Sequence, residues 1–190
     1  MAGARVLPLV IAPTIANIKL HHVLIDGGAS LNVISYAAFK QLQIPESRLD
    51  PSRPFSGVAP QPVYPVGTIS LPVTFGTEEN FHIESVQFDV AKVNLPFNAI
   101  ISRPALYRFM AVAHYGYLVL KMSSPAGVLT VKGDRIAAVA AVEKLHALAA
   151  GLVPAASAKG SDPSPSRSRA PAKAPKVHPS YTDDVPVKNF

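Results

Sequence analysis

Val23-Leu24-Ile25-Asp26-Gly27-Gly28-Ala29-Ser30 is the stretch on which the reading of this chain turns. Three apolar residues carry a strand into a core, and an unpaired carboxylate resists following them there. Two adjacent glycines then weaken the strand and free the backbone for a tight loop that other backbone can approach. The pattern reads as a strand delivering one carboxylate into a narrow loop. Carboxylates placed in that way act as acids or bases, or bind cations. On the residues alone a structural reading stays open beside the functional one: Asp26 accepting backbone N–H bonds from its own turn.

Upstream of that stretch, residues 4–26 read as two or three short strands divided at Pro13, with Ile18 and Leu20 alternating against Asn17, Lys19 and His21. Downstream, Ser35 is placed to cap a short helix, Tyr36 to Leu42, with Ala38, Phe39 and Leu42 on one face. Residues 45–65 are rich in Pro, Ser and Gly and predict loops and a hairpin tip. Ile69, Leu71, Val73 and Phe75 alternate with Thr68, Ser70, Pro72 and Thr74, the clearest strand signal in the chain. Pro72 removes a ladder donor and predicts an edge or a bulge. The return strand runs through Phe81, Ile83, Val86, Phe88 and Val90; its phase shift near Glu84-Ser85 predicts a bulge. Ala99 to Ile101 reads as a buried strand, Pro104 to Phe109 as a short helix, and Tyr117–Met122 with Gly127–Lys132 as a last hairpin. Asp134 is placed to cap a helix in which Ala138, Val142, Leu145, Ala149 and Leu152 recur at helical spacing, until Gly151 and Pro154 stop it. Residues 153–190, rich in Pro, Ser, Ala and Lys, cannot bury enough apolar surface to offset chain entropy and predict a disordered linker.

A length of 190 residues suits one domain plus an extension, or two small domains. The hydrophobic share of 48% is enough for a core. There is no Cys, which excludes disulfides and Cys-based metal sites. Of the net charge of +6, half belongs to residues 151–190, so the tail is the basic part. Such a tail can attract nucleic acid weakly and non-specifically, or be merely solvated; its Arg and Lys lack interleaved aromatics, so specific base recognition is not expected. No stretch reaches the roughly 18 apolar residues of a membrane span. Arg5 followed by Val6 to Ile15 has the outline of a secretory leader, but Pro8 and Pro13 interrupt it, and a first strand reads better. The expected location is cytoplasmic or nuclear. His21 and His22 are adjacent and point to opposite faces of a strand, with no third ligand at useful spacing, so no metal site is expected. Ser30 lies in no Gly-x-Ser-x-Gly elbow.

Residues 23–30 resemble the active-site signature of retropepsin-like aspartic proteases, in which apolar residues precede Asp-Thr/Ser-Gly-Ala/Ser. Asn98-Ala99-Ile100-Ile101-Ser102-Arg103-Pro104 is similar to the family's second motif, apolar-apolar-Gly-Arg. Tyr64 to Gly76 is similar to the strand pair after the family's flap. The three in order resemble the protease segment of gypsy-type retrotransposon polyproteins, those of plant genomes especially. The resemblance implies an all-β fold, a closed acid-protease barrel with one or two short helices, over residues 4–133. A helix, 134–152, and the disordered tail, 153–190, follow it.

The resemblance assigns catalysis to Asp26 and substrate contacts to Gly28 and Ala29. It assigns further substrate contacts to Gly57 and Val58, in a flap formed by Phe55 to Val63. Gly27, Ser30, Ile100 and Ile101 belong to the active-site loop. No metal or cofactor is implied. The chemistry needs two carboxylates sharing a proton, while this chain holds one Asp motif and no internal repeat. A homodimer is therefore expected, with the polypeptide of its own polyprotein as substrate. Two positions depart from the family. Gly27 stands where a Thr or Ser hydroxyl bridges the two active-site loops, although plant gypsy-type members also read Asp-Gly-Gly. Ser102 stands where a glycine lets the chain cross beneath the loop, and it brings a Cβ into a crowded turn. These departures sustain an alternative: a catalytically weak or inactive retropepsin-fold module for dimerisation or peptide binding. A nucleic-acid-associating role for the tail is the third reading.

Overall fold

The computed structural model describes residues 6–57 and 61–152. Four short strands open the chain: β1 (Leu9–Ile11), β2 (Thr14–Ile15), β3 (Ile18–Lys19) and β4 (Val23–Asp26). Next come β5 (Val33–Ser35), helix α1 (Tyr36–Gln41) and the long pair β6 (Gly67–Gly76) and β7 (Phe81–Ala91). Then follow β8 (Ala99–Ser102), α2 (Arg103–Arg108), β9 (Val112–His114), β10 (Val119–Ser124), β11 (Gly127–Lys132) and α3 (Arg135–Leu152). The fold is thus mostly β, with few helices. Residues 153–190, expected to be a disordered linker, lie outside the described residues, as does Pro154.

One sheet has eight strands in the order β1-β4-β8-β5-β7-β6-β2-β3; the other has three, β11-β10-β9. The connections bend the larger sheet. Only Ala12 and Pro13 join β1, at one end, to β2, next to the other end. Six strand spacings in a flat sheet measure about 29 Å, whereas three residue steps reach at most about 11 Å. Leu20 to His22 make a second short link, from β3 to β4. The sheet is therefore curled into a half-barrel. Among the described residues no ladder joins β1 to β3, so the observed pairing stops short of the closed barrel expected from the resemblance.

The β2–β3 hairpin turns on Ala16 and Asn17, both at positive φ (46° and 70°), as a two-residue turn matched to strand twist requires. In β6 the expected alternation holds: Ile69, Leu71, Val73 and Phe75 are buried. Pro72 accepts from Ala16 N–H at 3.0 Å, so its missing N–H faces the two-residue β2 and costs β7 no rung. The bulge expected near Glu84-Ser85 is absent. Pairing of β6 with β7 is continuous from Gly67↔Val90 to Gly76↔Phe81. The face does not switch; instead Phe81 and Ile83 point to solvent, 45% and 52% exposed. His82 and Glu84 take the inward positions because they are paired there. His82 Nε2 lies 3.0 Å from Glu84 Oε1, and Nδ1 lies 2.8 Å from Ser123 O on β10.

The main core gathers Phe39, Phe75, Phe88 and Phe109 with the inner residues of both sheets; Phe75 and Phe109 meet edge to face at 4.7 Å. Ser35 Oγ caps α1 by accepting from Ala38 N–H at 3.2 Å. Tyr36 on α1 donates its hydroxyl to Glu46 Oε1 at 2.5 Å and holds that carboxyl below its usual range. Asp134 caps α3 by accepting from Ala137 N–H at 2.9 Å. The helix buries Ala137, Ala138 and Ala141, leaves Leu145 half-buried and exposes Ala149. The side chain of Leu152 lies outside the described residues.

Candidate active site

Strand periodicity places the carboxylate. In β4, Val23 and Ile25 point into the main core, so Leu24 and Asp26 point the opposite way. They face a cleft of about 560 Å³. Beside them the parallel strand β8 pairs Leu24 with Ile100, Ile25 with Ile101 and Asp26 with Ser102. Ile100 therefore lines the cleft, while Ile101 lies fully buried behind it. Both had been expected in the active-site loop.

The loop after Asp26 supplies the floor. Gly28 N–H donates to Asp26 Oδ1 at 2.9 Å, which is the turn bond that the structural reading of Asp26 required. It does not use up the residue: Asp26 is half-buried and lines the cleft with Gly28, Ala29 and Ser30. A Cβ on Gly28 would lie 3.2 Å from Asp26 Oδ1, so glycine keeps the carboxylate unhindered. Ala29 is held through its carbonyl, which accepts from Arg103 N–H at 3.3 Å.

Opposite the loop stands the arm expected as a flap. Phe55 and Val63 exchange two backbone bonds, 3.0 and 2.8 Å, and close its base. Val63 packs with Val33, Ala91 and Ile100, which ties the arm to the cleft wall. Gly57 lines the cleft at φ +102°, a conformation natural to glycine. Val58 lies outside the described residues. Leu95, Phe97 and Leu145 complete the apolar wall.

Gly27 faces elsewhere. It borders a second hollow with Leu106, Tyr107, Met110 and Val112, of which Tyr107, Met110 and Val112 are 84%, 68% and 69% exposed. Its N–H points to the Tyr115 hydroxyl at 3.5 Å.

Ser102 is fully buried, yet its backbone is ordinary extended chain at φ −120°. The buried polar groups of Ser102 are satisfied by a residue that sequence reasoning passed over. Asn32 Oδ1 accepts from Ser102 N–H at 2.8 Å and from Ser102 Oγ at 3.1 Å. Asn32 Nδ2 donates to Gln87 O at 3.0 Å. One side chain thus ties the end of the Asp26 loop to β7 and β8. The available signal was a lone amide inside the apolar run Leu31-Asn32-Val33-Ile34. Leu95, Phe97 and Leu145 gave no such signal.

Among the described residues no three His, Asp or Glu side chains converge as a metal site needs, and no helix is long and apolar enough to cross a membrane.

No protein-family model matches this chain. No curated protein matches it either. Solved structures do. The retroviral protease-like domain of Ddi1 from Leishmania major is similar at a TM-score of 0.48 and 16% identity, over 69% of this chain and 99% of that one. The protease of EIAV, in complex with an inhibitor, is similar at 0.44 and 21% identity, over 60% and 97%. A retropepsin-like aspartic protease from Rickettsia conorii is similar at 0.41 and 16% identity, over 64% and 79%.

Proposed function

We propose that this chain is a retropepsin-like aspartic endopeptidase that works as a homodimer and processes the polyprotein of a gypsy-type retrotransposon. The observation that carries the activity is Asp26, projected by β4 into a cleft bounded by an apolar wall and a hairpin arm. The order of the three motifs, at 23–30, 64–76 and 98–104, supports the retrotransposon origin. In this reading Asp26 of each subunit contributes half of a dyad. One carboxylate takes a proton from water while the other, protonated, polarises the scissile carbonyl. Backbone of the arm around Gly57 binds peptide as an added strand.

A two-fold axis presents the same residue twice and so supplies the second carboxylate. The apolar surface of Tyr107, Met110 and Val112 beside Gly27 suits that contact, since it adjoins the loop that must meet its copy. Peptide cleavage should rise faster than linearly with protein concentration near the dimer dissociation constant, with sedimentation run on the same samples. Full activity from a monomeric species overturns the proposal. A sound dimer that binds peptides and cuts none supports the binding-module reading instead.

Gly27→Thr tests the dimer loop. A Cβ there meets Leu106 Cδ1 and the Tyr115 hydroxyl at 3.9 Å, ordinary contact distances, and φ is not positive, so threonine fits. A new neutral hydrogen bond is worth about 0.5–1.5 kcal/mol, and a symmetric pair gains it twice. The expected result is a tighter dimer by sedimentation; a weaker one contradicts the role given to this loop.

A further inference from the structure

We infer that α3 is a wall of the substrate cleft and that Leu145 sets the size of the apolar side chain accepted beside the scissile bond. The inference rests on the endopeptidase reading and adds to that site a size-selecting residue from α3, a helix that follows the protease-like segment 4–133.

The helix is fixed where it starts. Asp134 N–H donates to Val10 O on β1 at 2.7 Å, and the Asp134 carboxylate caps the first turn. Three alanines, Ala137, Ala138 and Ala141, then form the buried face against Val10 and Phe97. Alanine has no side chain beyond Cβ, so the helix lies close to the sheet. Ala138, Ala141 and Leu145 follow one another at i, i+3 and i+7, so the same face carries the leucine onward. Leu145 lies about 16 Å along the axis from the cap, at 1.5 Å per residue. There it leaves the β1 contact and reaches the cleft that holds Asp26.

Leu145 joins Leu24, Leu95 and Phe97 in one apolar cluster, and all four line the cleft. The polar side chains at the cleft, Asp26, Ser30 and Ser56, come from the active-site loop and the arm. The α3 side is therefore a surface for apolar groups, with no hydrogen-bonding side chain to select a polar one. Leu145 is half-buried, so it has room to respond to what enters. Leu24 and Leu95 beside it are half-buried as well, while Phe97 behind them is buried.

The test uses the full chain and two variants, Leu145→Ala and Leu145→Phe. Peptide pairs differ only in one residue flanking the scissile bond, Val or Phe. A methylene in an apolar pocket changes selectivity about 10–200-fold. Leu145→Ala should shift the kcat/KM ratio toward Phe by at least about tenfold, and Leu145→Phe should shift it toward Val. Unchanged ratios in both variants, with wild-type cleavage intact, overturn this inference and leave the endopeptidase reading standing. If wild type cuts nothing, the endopeptidase reading fails, and fluorescence binding of the same peptides decides the wall. A shift in affinity ratio between variants then supports it; an unshifted ratio, or no binding, overturns it.

Discussion

Asp26→Asn is expected to abolish peptide cleavage while the dimer persists. Asparagine keeps the shape of the side chain, and its Oδ1 still accepts from Gly28 N–H, so the loop keeps its turn bond. What is lost is the proton acceptor. General acid–base help is worth about 10²–10⁴-fold, and a shared dyad loses at least that much. Two carboxylates brought together across a two-fold axis repel one another. The Asn protein carries no such repulsion, so its dimer should be as tight or tighter near neutral pH. Cleavage of a peptide library from acid to neutral pH, beside sedimentation of both proteins, reads each effect. An Asn protein that cuts at the wild-type rate removes Asp26 from the mechanism.

Asn32→Leu is expected to cost the most stability of any single polar change near the site. Asn32 and Ser102 are the buried polar residues of the described chain, and they satisfy each other. Leucine is similar in bulk but leaves Ser102 N–H, Ser102 Oγ and Gln87 O without their partner. Ser102 N–H and Oγ are buried, and each costs about 1–3 kcal/mol when left unsatisfied, whereas Gln87 O belongs to an exposed residue within reach of water, so a total of about 2 kcal/mol or more is expected. Ser102→Gly removes the hydroxyl together with its Cβ, and Asn32 Oδ1 still holds the backbone N–H; a loss nearer 1 kcal/mol is expected. Urea unfolding of the two variants gives the comparison. Equal losses would falsify the view that the amide, rather than the hydroxyl, ties the loop down.

Local chemistry carried much of the fold into view. The Ser35 and Asp134 caps, the β6 alternation and the Asp26 turn all depend on residues within a few positions of one another. The β7 bulge misled because alternation shows that two faces differ, but not which one is inward. Phe81 and Ile83 look like core residues until His82 and Glu84 are seen to find partners inside. The three-residue β9 gave too little pattern to register. The candidate site was legible where one segment supplies it, at residues 26–30. It was not legible where distant segments converge: Asn32 with Ser102, and Leu24 with Leu95, Phe97 and Leu145. Such contacts follow from strand order, which short-range patterns do not specify.

The parallel pairing of β4 with β8 also sets a timetable. Asp26 is seated beside Ser102, so residue 26 waits on the ribosome for residue 102. At about 5–20 residues per second, that wait lasts for seconds. During it, the first four strands hold an apolar edge that only later chain can cover. Contacts this far apart in sequence also form slowly once available. A nascent chain that ends before residue 102 therefore has no assembled cleft. The proteolytic potential of the proposed enzyme begins only after its last wall, α3, has been synthesised.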